Sequence, residues 1–211
     1  MKPDVTDLKP NYWDRAKRAL ARRDPVMAAI MRRYPRIHLV PRGEPFHTLA
    51  RAIVGQQISV KAAQSVWNKV VGSVPEISPE EFLRLKTPQL RACGLSERKC
   101  EYLSDLARRF ADGAVRVHRW PDMRDEEVIA DLVQVRGIGR WTAEMFLIFS
   151  LLRPDVFPLG DLGLRKGIRA AYFKRNVSLK TMAKLGATWQ PWRSVATWYL
   201  WRSLDPLPVE Y

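Results

Sequence analysis

Only two cysteines, Cys93 and Cys100, and three histidines occur in the 211 residues. Two thiols cannot supply the four ligands of an iron–sulfur cluster or a structural zinc, so neither of these is expected. The two cysteines are expected as free, buried thiols in a reducing compartment. Long apolar runs are also lacking. The stretch Met145 to Leu152 is too short to span a bilayer, and Met1 to Asp7 has no hydrophobic segment of the kind a secretory signal needs. A cytosolic protein without a membrane partner is expected. Acidic residues are scarce beside basic ones: 22 Asp and Glu against 36 Lys and Arg, a formal net charge of 36 − 22 = +14. That excess favours polyanions, with nucleic acid ahead of acidic membrane surfaces. With 46% hydrophobic residues, eight tryptophans and seven phenylalanines, the chain can bury a core and is no disordered basic tail.

Alternating strand patterns are missing as well, which leaves an all-α chain. Apolar residues recur at helical spacing over 13–23, 79–86, 97–112, 125–135, 141–152, 162–173, 178–185 and 189–203. One stripe runs through 46–71, from Phe46, Leu49 and Ile53 to Ile58, Val66 and Val70. Ser78-Pro79 and Ser96 read as helix starts. Helical period fails around Arg36–Pro45 and again around Pro154–Gly160. Two helical lobes flanking a cleft are therefore expected, residues 41–157 and residues 1–40 with 158–211; one continuous bundle is the alternative.

Residues 125–152 hold the most informative local pattern: a helix, then Arg136-Gly137-Ile138-Gly139-Arg140, then Trp141-Thr142 opening a very apolar helix. Glycines at 137 and 139 permit positive φ and close backbone approach, and Ile138 between them is expected to point inward. The first amides of the second helix are donors with positive partial charge behind them, suited to a phosphate. A bare Gly-x-Gly is also a common helix C-cap turn. A dinucleotide fingerprint is disfavoured, since no strand precedes it and no third glycine follows. Twenty residues beyond Trp141 stands Asp161, which in itself reads equally as the cap of a helix over 162–172.

The pattern Leu132 to Ala143 followed by Val156-Phe-Pro-Leu-Gly-Asp161-Leu-Gly-Leu resembles the helix-hairpin-helix-GPD DNA glycosylases. The likeness is nearest to the 3-methyladenine DNA glycosylase II branch. Ile53-Val-Gly-Gln-Gln-Ile-Ser59, Leu90 to Ser96, and Trp189 to Trp201 carry it further, over roughly residues 40–205. The resemblance implies two helical lobes and a short form without the amino-terminal β-rich domain of longer members. It also implies an enzyme that flips an alkylated base out of duplex DNA and hydrolyses its N-glycosidic bond, with no metal or organic cofactor. Asp161 matches the catalytic aspartate. The dipole of the helix it caps favours a negative charge there, fit to face a developing sugar cation.

Trp141 stands where bifunctional relatives carry a Schiff-base lysine, which implies a monofunctional glycosylase. Trp141, Trp201 and Gln56 are implied for the base pocket and Gln57 for the wedge that fills the gap left by the base; Trp192 is expected to be structural. Arg136, Gly137, Ile138, Gly139, Arg140 and Thr142 are implied at DNA phosphates, where Lys61, Arg165 and Lys166 are weaker candidates. The partner is double-stranded DNA with a damaged base, and a monomer is expected. Two rival readings remain at this stage: a glycosylase for deaminated or mismatched bases, and a non-catalytic helix-hairpin-helix module.

Overall fold

The structure, a computed structural model, describes residues 9–204. Among them the regular structure is helical, with no strand. Helices α1 (Trp13–Arg23) and α2 (Pro25–Arg33) come first. They are followed by α3 (Pro45–Gly55), α4 (Val60–Val71), α5 (Pro79–Arg84), α6 (Thr87–Ala92), α7 (Glu97–Ala111), α8 (Asp125–Leu132) and α9 (Arg140–Phe149). The described chain closes with α10 (Leu162–Ile168), which runs on as a π turn over Arg169–Phe173, then α11 (Leu179–Ala187) and α12 (Arg193–Leu204). None of these helices is long and apolar enough to cross a membrane.

Side chains set many of the starts. Asp24, Ser59, Ser78, Ser96, Asp161 and Ser178 each accept the backbone N–H three residues on, filling a donor the helix itself leaves open. The starts read at Ser78 and Ser96 are among them. The stripe read through 46–71 is two helices. α3 ends at Gly55, Gln57 takes a left-handed φ of 58°, and Ser59 starts α4 afresh. Periodicity alone does not register the turn between them: Ile58 and Ala62 carry the apolar spacing across the break yet are exposed, and α4 buries Trp67 and Val70 instead.

Packing divides the chain into two compact units, residues 42–146 and residues 9–41 with 147–204. The second division thus falls inside α9, and not in the 154–160 break where the lobes were expected to part; the expected tails 1–8 and 205–211 lie outside the described residues. The reason is the apolar length of α9, where Ala143, Phe146, Leu147, Ile148 and Phe149 are all buried. Phe146 meets Trp120 in the first unit, whereas Phe149 meets Trp198 and Trp201 in the second.

In the 42–146 unit α7 packs on α3, α5 and α6, and α3 on α4. Phe46 sits edge-on to Phe82 and Phe110, at 5.2 and 5.4 Å between centroids. Cys93 and Cys100 are buried thiols without a disulfide in this unit, as expected. In the other unit α12 lies against α1, α2 and α10, with most of its residues buried. Its polar anchor is the buried Asp24. Besides capping α2, Asp24 Oδ2 accepts the Tyr172 hydroxyl at 2.7 Å and the Trp189 indole N–H at 2.9 Å. Replacing Asp24 by Ala removes a cap and strands two buried donors. We expect a loss of about 2–4 kcal/mol, read as a lower urea midpoint at unchanged slope.

Candidate active site

The Gly137 hairpin is built from three sides within the 42–146 unit. α8 stops at Leu132, and the turn closes through the Ile138 amide, which donates to Val135 O at 3.1 Å. From α7, Asp105 Oδ2 accepts the Arg136 amide at 3.0 Å and Arg109 Nε at 2.9 Å. Tyr102, also on α7, lies flat under Gly137, whose φ is +82°. A Cβ there would stand 2.2 Å from the Tyr102 ring, so only glycine fits, on both sterics and backbone angle. Ile138 is buried, as expected.

Gly139 is different. Its φ is not positive, and a Cβ would meet nothing of this chain within 4 Å. Both glycines were expected for backbone freedom, but only Gly137 needs it. Gly139 leaves a bare, exposed backbone immediately before α9.

The α3–α4 turn is tied to this hairpin. Gln56 Nε2 donates to Gly137 O at 2.8 Å, and Lys99 Nζ donates to Val54 O at 2.7 Å, near the carbonyl end of α3. The Gln56 amide therefore braces the hairpin, a role the pocket assignment did not foresee. Gln57 next to it is exposed at the tip of the turn.

Arg140, expected at a phosphate, forms ion pairs within the chain. Its NH1 meets Glu126 Oε2 at 2.9 Å and its Nε meets Glu144 Oε1 at 3.0 Å. The Glu126 hydrogen bond above all raises its already high pKa, so Arg140 stays cationic while its two ion pairs tie α8 to α9. Arg136 has its side chain exposed, while Thr142 is half-buried. Lys61 and Lys166 are exposed, and Arg165 NH2 donates to Gly160 O at 2.6 Å. Trp141 stands in the first turn of α9 and is 42% exposed, so it is no core tryptophan.

In the other unit Asp161 caps α10. Its Oδ1 accepts the Leu164 amide at 2.6 Å and also the Trp201 indole N–H at 2.9 Å. Trp201 reaches it from α12, with its ring stacked on Phe149 at 5.7 Å and 12° between planes. Nothing in the sequence pattern pointed to that bond, because the two residues are 40 positions apart. Trp192 is structural, as expected: it stacks on Tyr12 and lies under the Arg15 guanidinium. Among the described residues no three His, Cys, Asp or Glu side chains gather as a metal site.

Residues 50–191 match the HhH-GPD superfamily of base excision DNA repair proteins. The chain belongs to that superfamily. It is 37% identical over 167 residues, 72% of each chain, to DNA-3-methyladenine glycosylase 1 of Schizosaccharomyces pombe. A crystal structure of DNA-3-methyladenine glycosidase from Bacillus halodurans superposes with a TM-score of 0.83 at 31% identity, covering 90% of this chain and 89% of that one. The S. pombe 3-methyladenine DNA glycosylase in complex with abasic DNA gives a TM-score of 0.77 at 31% identity, over 93% and 99%. Across the curated relatives it matches, the chain spans from 38% to 92% of their length. The all-α architecture and helix-hairpin-helix expected of an HhH-GPD protein are thus those of the molecule.

The two hairpin glycines should separate in their effects. Gly137→Ala is expected to cost about 1–3 kcal/mol of stability, through the Tyr102 clash and the positive φ. Gly139→Ala should leave the melting temperature unchanged yet weaken duplex-DNA binding, measured by fluorescence anisotropy. The Asp105 anchor carries a pH signature. Burial alone would push its carboxyl up, but the Arg136 amide and the Arg109 and Arg108 guanidiniums outweigh that and hold it below the usual carboxylate range. Its contribution is therefore complete above about pH 4, the unfolded value, and is lost as pH falls through the lower folded value. Asp105→Asn should flatten part of the acid arm of a stability–pH curve from urea melts.

Proposed function

We propose that the protein is a monofunctional DNA glycosylase, acting as a monomer in the cytosol, that removes alkylated bases of the 3-methyladenine and 7-methylguanine type from duplex DNA. The observation that carries this reading is Asp161, a carboxylate pinned at the start of α10 by two donors on one oxygen, in a chain of this superfamily. The names of the relatives support the substrate class: DNA-3-methyladenine glycosylases recur among them.

Three parts share the work. The hairpin backbone, bare at Gly139, takes a phosphate without reading sequence, and basic side chains such as Arg136 add charge. Base flipping follows, at a cost of a few kcal/mol that is least for a damaged, weakly paired base. Gln57, held at the tip of the α3–α4 turn, enters the gap. Trp141, exposed on α9, offers a π face to an electron-poor, cationic base.

An alkylated purine already carries positive charge, so it leaves without being protonated. The bond from C1′ to the base nitrogen breaks, and its electron pair departs with the base. The sugar becomes an oxocarbenium-like cation faced by the Asp161 carboxylate. Water adds at C1′, its proton goes to solvent, and an abasic site remains. A tryptophan at position 141 offers no amine for a Schiff base, so the backbone is left intact.

Incubating duplexes containing 7-methylguanine or 3-methyladenine should release free base, with strand breakage only after added alkali. Asp161→Asn is expected to slow single-turnover release by about 100-fold or more. Release that survives this substitution would refute the role of Asp161, and nicking without alkali would refute monofunctionality. Absence of release from any lesion duplex would leave a DNA-structure-binding module. Affinity for undamaged duplex should fall steeply between 50 and 200 mM salt, about 0.9 decade per decade of salt for each phosphate contacted.

A further inference from the structure

By resemblance, Trp201 was assigned to the base pocket, where an aromatic ring would stack on the extruded base. Its position suggests a different task. One face of the indole is covered by Phe149, in a stack only 12° from parallel. Its polar edge is aimed at Asp161, with Nε1 2.9 Å from Oδ1. Space is reserved for that bond. A Cβ at Gly163 would stand 3.1 Å from Asp161 Oδ1 and 3.3 Å from both Trp201 Cδ1 and Nε1, at the place where the two side chains meet. Farther along α10, Gly167 lets the helix lie on α12: a Cβ there would come within 3.2 Å of the Leu200 backbone. Two glycines one turn apart thus hold α10 close enough to α12 for an indole on one helix to reach the carboxylate capping the other.

We propose that Trp201 is a positioning residue for Asp161, acting through its indole N–H and not chiefly through its π face, and that Gly163 keeps the gap the pair needs. The proposal rests on the reading of Asp161 as the anion that faces the sugar cation. Two donors on Oδ1, the Leu164 amide along the helix and the Trp201 indole across it, fix the plane of the carboxylate. The amide holds the oxygen from along the helix, and the indole adds a second direction from across it. Fixing that plane before substrate arrives places the negative charge where positive charge develops, so no reorganisation is needed during bond breaking.

The test compares two abasic-site mimics in the same duplex: a pyrrolidine, whose protonated ring nitrogen imitates the sugar cation, and a neutral tetrahydrofuran. Their ratio of dissociation constants reports how well the protein senses positive charge at the sugar. Trp201→Phe keeps the ring on Phe149 and loses only the donor. It should reduce the pyrrolidine preference about tenfold, the worth of one hydrogen bond to a charged group, and leave tetrahydrofuran binding nearly unchanged. Release of 7-methylguanine should slow by the same factor. Gly163→Ala, which keeps the indole and wedges the pair apart, should lower the ratio in the same direction and serves should Trp201→Phe fail to fold.

A Trp201→Phe or Gly163→Ala protein that folds and keeps the wild-type ratio overturns the positioning role. So does slower 7-methylguanine release with the ratio intact, which would return Trp201 to the base pocket. A wild type that releases methylated bases but shows no pyrrolidine preference removes the electrostatic role of Asp161, and this proposal with it. A wild type that releases no base sinks the glycosylase reading separately.

Discussion

One carboxylate oxygen, Oδ1 of Asp161, accepts hydrogen bonds from two helices at once. Meeting both donors demands that α10 and α12 approach closely, that residue 163 have no side chain, and that Trp201 be fixed in rotation by its stack on Phe149. Burial along α12, from Ser194 to Leu200, provides the surface against which α10 lies. The core of this unit is therefore also the mount of that carboxylate. Helix capping is an ordinary use of Asp; the same geometry orients a negative charge at low cost because the donors belong to rigid elements.

The hairpin in the other unit follows the same logic with different chemistry. Its backbone is presented outward at Gly139, while everything around it is pinned from within: Tyr102 beneath Gly137, Asp105 on the Arg136 amide, Gln56 on the Gly137 carbonyl. Neutral or internally paired groups do this work. Even Arg140, which by sequence position faces the hairpin, spends its charge on Glu126 and Glu144. A net charge of +14 favours polyanions at a distance, whereas the hairpin presents backbone groups that a side-chain inventory does not show.

Legibility in the sequence tracked the range of the interactions. Caps at Ser78, Ser96 and Asp161 were readable because donor and acceptor lie three residues apart. The inward Ile138 and the free thiols were readable from local chemistry. The break at Gln56–Ser59 was not, since exposed apolar residues such as Ile58 and Ala62 carry the helical spacing across the turn. Nor was the division inside α9, whose residues are apolar throughout and so carry no mark of which core each one joins.

The sequence by itself determined the helical class, the hairpin with its two glycines, the aspartate at a helix start and the tryptophan in place of a lysine. These depend on composition, on neighbours within a few residues and on resemblance to a family. Only the tertiary structure decided why the parts are fixed as they are: which glycine is sterically required, that Gln56 braces the hairpin, that Arg140 is already paired, and that Trp201 holds Asp161. The physical reason is that each of these outcomes depends on which atoms share a few ångströms of space. Residues 40 or 81 positions apart in the chain meet only once the helices have packed.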